Sequence, residues 1–263
     1  MHFHFYRTAR NVFLHHKLSQ RYHLKMGKFI KTTTNWNPIF DDRPTSNVPR
    51  IKFSYTFSKD HIAKGNHVLD IGCGTGSYTN LIDSKHCIGI DLDIQALKIA
   101  KTYCKGSEFV VCSALNLPFR NQTFDVICMW GVFEEIPPRA EVQAIIEVRS
   151  MLVPNATFLL SAYNDHIISK LMDPAFIFRG VRHYNARKFL RLICELGFNI
   201  DKYTIRGRFY TLVSIFLFYF YKHILHKKDG KLKTFFERKS ENEIFFNDKG
   251  VVYLFVAARK RNN

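Results

Sequence analysis

The chain has 263 residues, 46% of them hydrophobic, which excludes wholesale disorder and suffices for one large α/β domain or two small ones. Lysine and arginine number 39 against 22 acidic residues, a formal charge of +17. That excess favours nucleic acid, an anionic membrane surface or an acidic ligand, or else serves solubility alone. The six cysteines are Cys73, Cys87, Cys104, Cys112, Cys128 and Cys194. None form a C-x-x-C pair and most lie in apolar runs, which argues against a zinc site and a disulfide framework and fits a reducing compartment.

The first 40 residues contain seven Lys/Arg and no Asp or Glu. Three readings stay open for residues 1–50: a mitochondrial-type presequence, a basic membrane-touching arm, or upstream sequence ahead of a true start at Met26. Poverty in serine tells against the presequence. From residue 51 the chain alternates. A helix over 53–63 precedes the apolar run "HVLDI" (67–71), a buried strand stopped by Gly72. Then come a helix over 76–83, a strand 87–91, an amphipathic helix 94–104 and a strand 108–112. Strand 124–130, helix 139–152 and strand 156–163 follow. Asn185 is an N-cap for a helix 186–196, and strands near 198–206 and 251–258 close the series. Strands alternating with helices predict a mostly parallel sheet covered on both faces.

The segment "VLDIGCGTG" ends a strand and opens a helix. Gly72, Gly74 and Gly76 at alternate positions allow a sharp turn and close backbone approach to a ligand at the carboxyl end of the first strand. Asp91 closes the second strand, where a carboxylate can accept bonds from both hydroxyls of a ribose. A nicotinamide dinucleotide competes, but its fingerprint is G-x-G-x-x-G and position 77 here is Ser77. Asp70 would also repel a pyrophosphate while tolerating a ligand with an amino group and a sulfonium.

In order and spacing, "HVLDIGCGTG", "GIDLDIQAL", "SALNLPF", "FDVICMWGVFEEIP" and "EVRSMLVPNATFLLS" resemble class I S-adenosylmethionine-dependent methyltransferases, especially the group acting on small molecules and lipids. The resemblance covers about 51–206 plus the last strand. It implies a Rossmann-like α/β fold: a seven-stranded, mostly parallel sheet with helices on both faces and an antiparallel last strand. It implies S-adenosyl-L-methionine as cofactor, its methionine moiety held by Asp70, Gly72, Gly74 and Gly76 and its ribose by Asp91, with Leu92 packing on the adenine. Ala114 would offer its N–H to the adenine, and Met129 and Trp130 would flank the reacting methyl group. Ser113 stands where the family usually has Asp, and Gly131 and Glu135 stand where it often has His.

Methyl transfer from a sulfonium requires alignment and exclusion of water, and a general base only for a hydroxyl or weakly acidic carbon. The candidates for such a base are His166, His183 and Glu134, each with an ordinary structural reading beside it. No N/D-P-P-Y/F motif and no Pro-Cys nucleophile occur, which disfavours amide or adenine N-methylation and cytosine C5 methylation.

Between the sixth and seventh strands lies an insertion of about 207–250, opening with "RFYTLVSIFLFYFYKHIL". This run is short of the roughly 20 apolar residues of a spanning helix. It reads as buried core, or as a surface for lipid or a greasy substrate, with Lys222, Lys227, Lys228, Lys231 and Lys233 beside it for anionic headgroups. The expectation is a cytoplasmic, peripherally membrane-bound methyltransferase acting on a lipid, isoprenoid or lipid-linked glycan, with 209–233 meeting the membrane. An RNA methyltransferase and a non-catalytic methyltransferase-like adaptor are the alternatives.

Overall fold

A computed structural model describes residues 48–227 and 230–262, so the readings made for the first 47 residues and for Lys228 lie outside the described residues. Seven strands form one sheet: β1 His67–Ile71, β2 His86–Asp91, β3 Ser107–Val111, β4 Phe124–Trp130, β5 Leu152–Tyr163, β6 Phe198–Arg206 and β7 Tyr253–Lys260. Their order is β3-β2-β1-β4-β5-β7-β6. All pairs from β3 to β5 are parallel, while β7 runs antiparallel to both β5 and β6. The chain reverses between β1 and β4, so their carboxyl ends border the crevice where open α/β sheets hold ligands.

Burial on both faces explains why the strands read as unbroken apolar runs. Along β4, Ile127 and Met129 enter one core, and Val126, Cys128 and Trp130 enter the other. Along β7, Leu254, Val256 and Ala258 alternate with Tyr253, Phe255 and Ala257 in the same way. Helices α3 (Glu141–Met151) and α6 (Ala186–Glu195) cover the first face with Ala144, Ile145, Val148, Phe189 and Ile193. The second face is covered by α1 (Pro49–Ser58) and by the insertion helices α7 (Phe209–His223) and α8 (Lys231–Phe246), through Phe53, Phe57, Leu212, Ile215 and Ile244. Helix α2 (Ile94–Tyr103) follows β2, its N-terminus capped by Asp93, which accepts from the amides of Gln95 and Ala96.

The aromatic run is therefore half core. Leu212 and Ile215 are buried against the sheet, whereas Phe209, Phe216, Phe220 and Ile224, at helical spacing, are exposed. No residue of α7 caps its own N-terminus. Instead the carboxylate of Glu243 on α8 accepts from the backbone amides of Arg208 (3.1 Å), Tyr210 (3.0 Å) and Thr211 (2.9 Å). A carboxylate on those orphan donors also meets the positive end of the helix dipole. Among the described residues, no helix is long and apolar enough to cross a membrane.

Two expectations change. The helix over 76–83 is only a 3-10 turn, Thr79–Leu81, because Gly76 sits at φ +80°, which does not continue into a right-handed helix. Short helices α4 (Ile167–Met172) and α5 (Pro174–Arg179) fill the connection after β5, where no element was expected. Asp173 caps α5 by accepting from the Ala175 amide, and α4 packs against α5 and α7.

Candidate active site

The glycine loop is built by three different constraints. At Gly72 a Cβ would collide with Val132, and at Gly76 with Cys104 and Ala100, so both glycines serve close packing of the loop. At Gly74, φ +53°, a Cβ would meet nothing within 4 Å. There the backbone borders open space, which is what a ligand requires. Gly74 donates its amide to Asp91 Oδ2 at 2.8 Å, and Asp93 donates to Oδ1 at 2.9 Å. Each carboxylate oxygen keeps a second lone pair for a ribose hydroxyl. Burial raises the Asp91 pKa against the opposing pull of the Asp93 and Gly74 amides. Asp70 is buried one strand position from the loop and accepts from Thr79 Oγ1 at 2.6 Å. Burial pushes its pKa to about 7, opposed by the Thr79 hydroxyl and helped by Asp91. A cationic ligand here would favour its ionised form.

Leu92 is half exposed beside Asp91. Ser113 Oγ accepts from the Leu115 amide at 3.2 Å, so the hydroxyl holds the turn through Ala114 much as an Asp side chain would. Trp130 packs edge-on against Tyr78 and Phe57. Met129 is fully buried in the opposite core. Only its backbone is therefore placed to meet a ligand at the strand end. With that reassignment, the residues present fit S-adenosylmethionine: open space at Gly74, acceptor oxygens on Asp91, and buried acids for a cationic methionine end.

Of the three base candidates, His183 is the one its surroundings disqualify. Its side chain is enclosed, Nε2 lies 3.0 Å from Asp173 Oδ2, Nδ1 lies 3.3 Å from the Asn164 carbonyl, and the ring stacks on Tyr163. Both nitrogens are occupied, and the residue ties α5 to the end of β5. His166 stands at the N-cap position of α4 without a side-chain capping bond and buries Nδ1 without a partner among the described residues. Glu134, in the segment after β4, buries Oε2 without a partner among the described residues, while Oε1 lies 3.8 Å from Arg50 Nη1. Burial pushes the Glu134 pKa up to about 7, against the pull of Arg50.

The segment carrying Glu134 is held from behind. Arg182 donates to the Phe133 carbonyl at 2.9 Å and to that of Ile136, and pairs with Glu141. Tyr184 Oη donates to the Phe133 carbonyl at 2.7 Å. Sequence reasoning missed Arg50, Tyr163 and Tyr253, which border the same end of the sheet. No local pattern marks them, because α1, β5 and β7 meet only in the folded chain.

The seven-stranded order, mostly parallel with one strand antiparallel, is that of the Rossmann-like methyltransferase fold. Residues 68–155 match the family model described as a methyltransferase domain. It is 34% identical over 124 residues to a probable tRNA methyltransferase 9B of Bos taurus, covering 47% of this chain and 26% of that protein. It is 31% identical over 112 residues to a demethylmenaquinone methyltransferase of Lactiplantibacillus plantarum, covering 38% of this chain and 46% of that protein. The chain thus spans about a quarter to a half of the length of these two relatives. A solved methyltransferase-fold structure from Bacillus halodurans C-125 aligns over 80% of this chain and 99% of its own, with a TM-score of 0.57 at 17% identity, which shows the shared fold.

Proposed function

We propose that this protein is an S-adenosylmethionine-dependent methyltransferase whose acceptor is borne on a lipid and met at a membrane surface. The bound cofactor would supply an electrophilic methyl carbon, and its sulfur–carbon bond would break with the electron pair left on a neutral thioether. The chain's own residues hold the cofactor through Gly74 and Asp91 and wall off the acceptor end.

The observation carrying the lipid reading is the face beside that end. Ile167 (71% exposed) and Leu171 (70%) on α4, and Phe178 (84%) on α5, stand out with Phe209, Phe216 and Phe220 on α7. Large apolar side chains gathered on packed helices mark an interaction site. Arg208, Lys227 and Lys231, all exposed, flank α7 with positive charge suited to anionic headgroups, whereas Lys233 is buried, pairs with Glu237 at 3.3 Å and so leaves the expected cluster. The similarity to a demethylmenaquinone methyltransferase supports a greasy acceptor.

A second reading, a tRNA acceptor, rests on the relatives named probable tRNA methyltransferase 9B and on the +17 charge. The test is methyl-labelled S-adenosylmethionine incubated with total lipid extract and, separately, with total RNA. Label entering the organic phase, and lost with Asp91→Ala, is the expected result. Label only in RNA replaces the lipid reading with the second one.

A further inference from the structure

Arg50 is the polar group at the acceptor end that the cofactor pocket leaves unexplained. Its guanidinium occupies the space that a side chain at position 131 would take: a Cβ on Gly131 would collide with Nη1. Gly131 is thus the residue that admits an arginine from α1 to the end of β4. Among the described residues the guanidinium makes no hydrogen bond. It faces Glu134 Oε1 at 3.8 Å and lies 5.8 Å from the Tyr253 ring centroid. The Tyr163 ring lies tilted against that of Tyr253, centroids 5.2 Å apart.

A guanidinium has five N–H donors in a rigid fork, and a single ion pair at this range leaves most of them unused. Beside it the second carboxylate oxygen of Glu134 is buried with no donor among the described residues. Such a pair is costly unless a further group completes it. The pair also lies against the cofactor loop, because Val132, between Gly131 and Glu134, packs where a Cβ of Gly72 would be.

We infer that Arg50 and Glu134 form the subsite for the methyl-accepting group, and that this group is a hydroxyl. This deepens the methyltransferase reading and rests on it. A hydroxyl oxygen has two lone pairs and one proton. One lone pair accepts an Arg50 N–H, the proton passes to Glu134 Oε2, and the second lone pair forms the bond to the methyl carbon. The electrons of the breaking bond stay on the thioether, and the positive charge of the sulfonium leaves as the proton on Glu134. An amine nitrogen has one lone pair and cannot both accept from Arg50 and attack; its protonated form is repelled by the guanidinium. The tyrosine rings provide walls that are apolar in the middle and polar at the tip.

The experiment follows labelled methyl into lipid and RNA pools with wild type, Glu134→Gln, Arg50→Gln and Arg50→Lys, then distinguishes O-methyl from N-methyl products by acid hydrolysis and cation exchange. Cofactor affinity by calorimetry is measured alongside. The expected product is an O-methyl ether in whichever pool takes label. Glu134→Gln lowers kcat by about 100-fold, the scale of a lost general base, with cofactor affinity unchanged. Arg50→Gln raises KM by about 10-fold or more, and Arg50→Lys restores part of it, as fits one charged hydrogen bond. Label on an amine nitrogen, or wild-type turnover in Glu134→Gln, overturns the subsite and leaves the methyltransferase reading standing. No label in any pool, with cofactor bound, overturns both.

Discussion

The two ends of the crevice are built by opposite means. The proposed cofactor half is built mainly from one stretch of chain, residues 67–93, joined by the Ser113–Leu115 turn and the end of β4, and acts largely through backbone: a positive φ at Gly74, its amide on Asp91, and a second amide from Asp93. The acceptor half is assembled from side chains of α1, the segment after β4, β5, β7 and the insertion. Its members run from Arg50 to Tyr253, across most of the described residues. The lesson is that one half constrains chemistry common to many acceptors, while the other is free to specify one. The two should then fail independently, and the following measurements exploit that.

The largest effect belongs to the cofactor half. Asp91→Ala removes the acceptor for two loop amides and for a ribose, and is expected to weaken S-adenosylmethionine binding by about 100-fold, the worth of two charged hydrogen bonds, as read by calorimetry. Gly74→Ala sharpens the point against Gly76→Ala. The first puts a methyl into open space and costs about 1 kcal/mol of backbone strain together with cofactor affinity. The second drives a methyl into Cys104 and Ala100, and shows its loss mainly in the melting temperature.

Next is the insertion. Glu243→Ala strips the cap from α7 and is expected to cost about 2 kcal/mol, seen as a Tm lower by roughly 4–8 °C for a chain this size. Cofactor affinity should stay within twofold; a large loss would mean that the halves are coupled.

A smaller effect is pH-dependent. Asp70, with its pKa raised from 3.8 to about 7 by burial, holds its proton more tightly folded than unfolded. Its neutral form therefore stabilises the fold below about pH 4, and that contribution is lost as pH rises through about 7. Asp70→Asn is expected to flatten the fall in Tm across this window. A Glu134-dependent rate should instead rise through about pH 7 as the carboxyl ionises, in the company of Arg50, Glu135, Asp173 and Tyr184. Smallest of all is the stability change for Phe216→Ser, within about 0.5 kcal/mol because the ring is exposed.

The contrast also explains what could be read from the chain alone. Strand runs such as "FDVICMW" and "VVYLFVAA" were legible because burial on both faces leaves an uninterrupted apolar record. The glycine loop and Asp91 were legible because their geometry is local. The spacing of the loop did not reveal that Gly72 and Gly76 answer to Val132 and Cys104 while Gly74 alone borders open space. Met129 illustrates the same limit: end-of-strand position suggested contact with the cofactor, but alternation turned its side chain into the opposite core. His183 looked well placed until the fold closed Asp173 and Asn164 around both nitrogens. The aromatic run offered core and surface readings, and α7 takes both at once, with Leu212 and Ile215 inward and Phe216 and Phe220 outward.

The central claim is that the exposed aromatic face delivers a lipid-borne acceptor to an independent cofactor pocket. It is tested most directly by comparing wild type with Phe216→Ser/Phe220→Ser, measuring cofactor affinity and labelled methyl transfer to lipid vesicles in the same preparation. The account predicts equal affinity for S-adenosylmethionine and a fall in transfer of about 10-fold or more, from the loss of two exposed rings that would enter the membrane. Undiminished transfer to vesicles, or label confined to RNA, would contradict it.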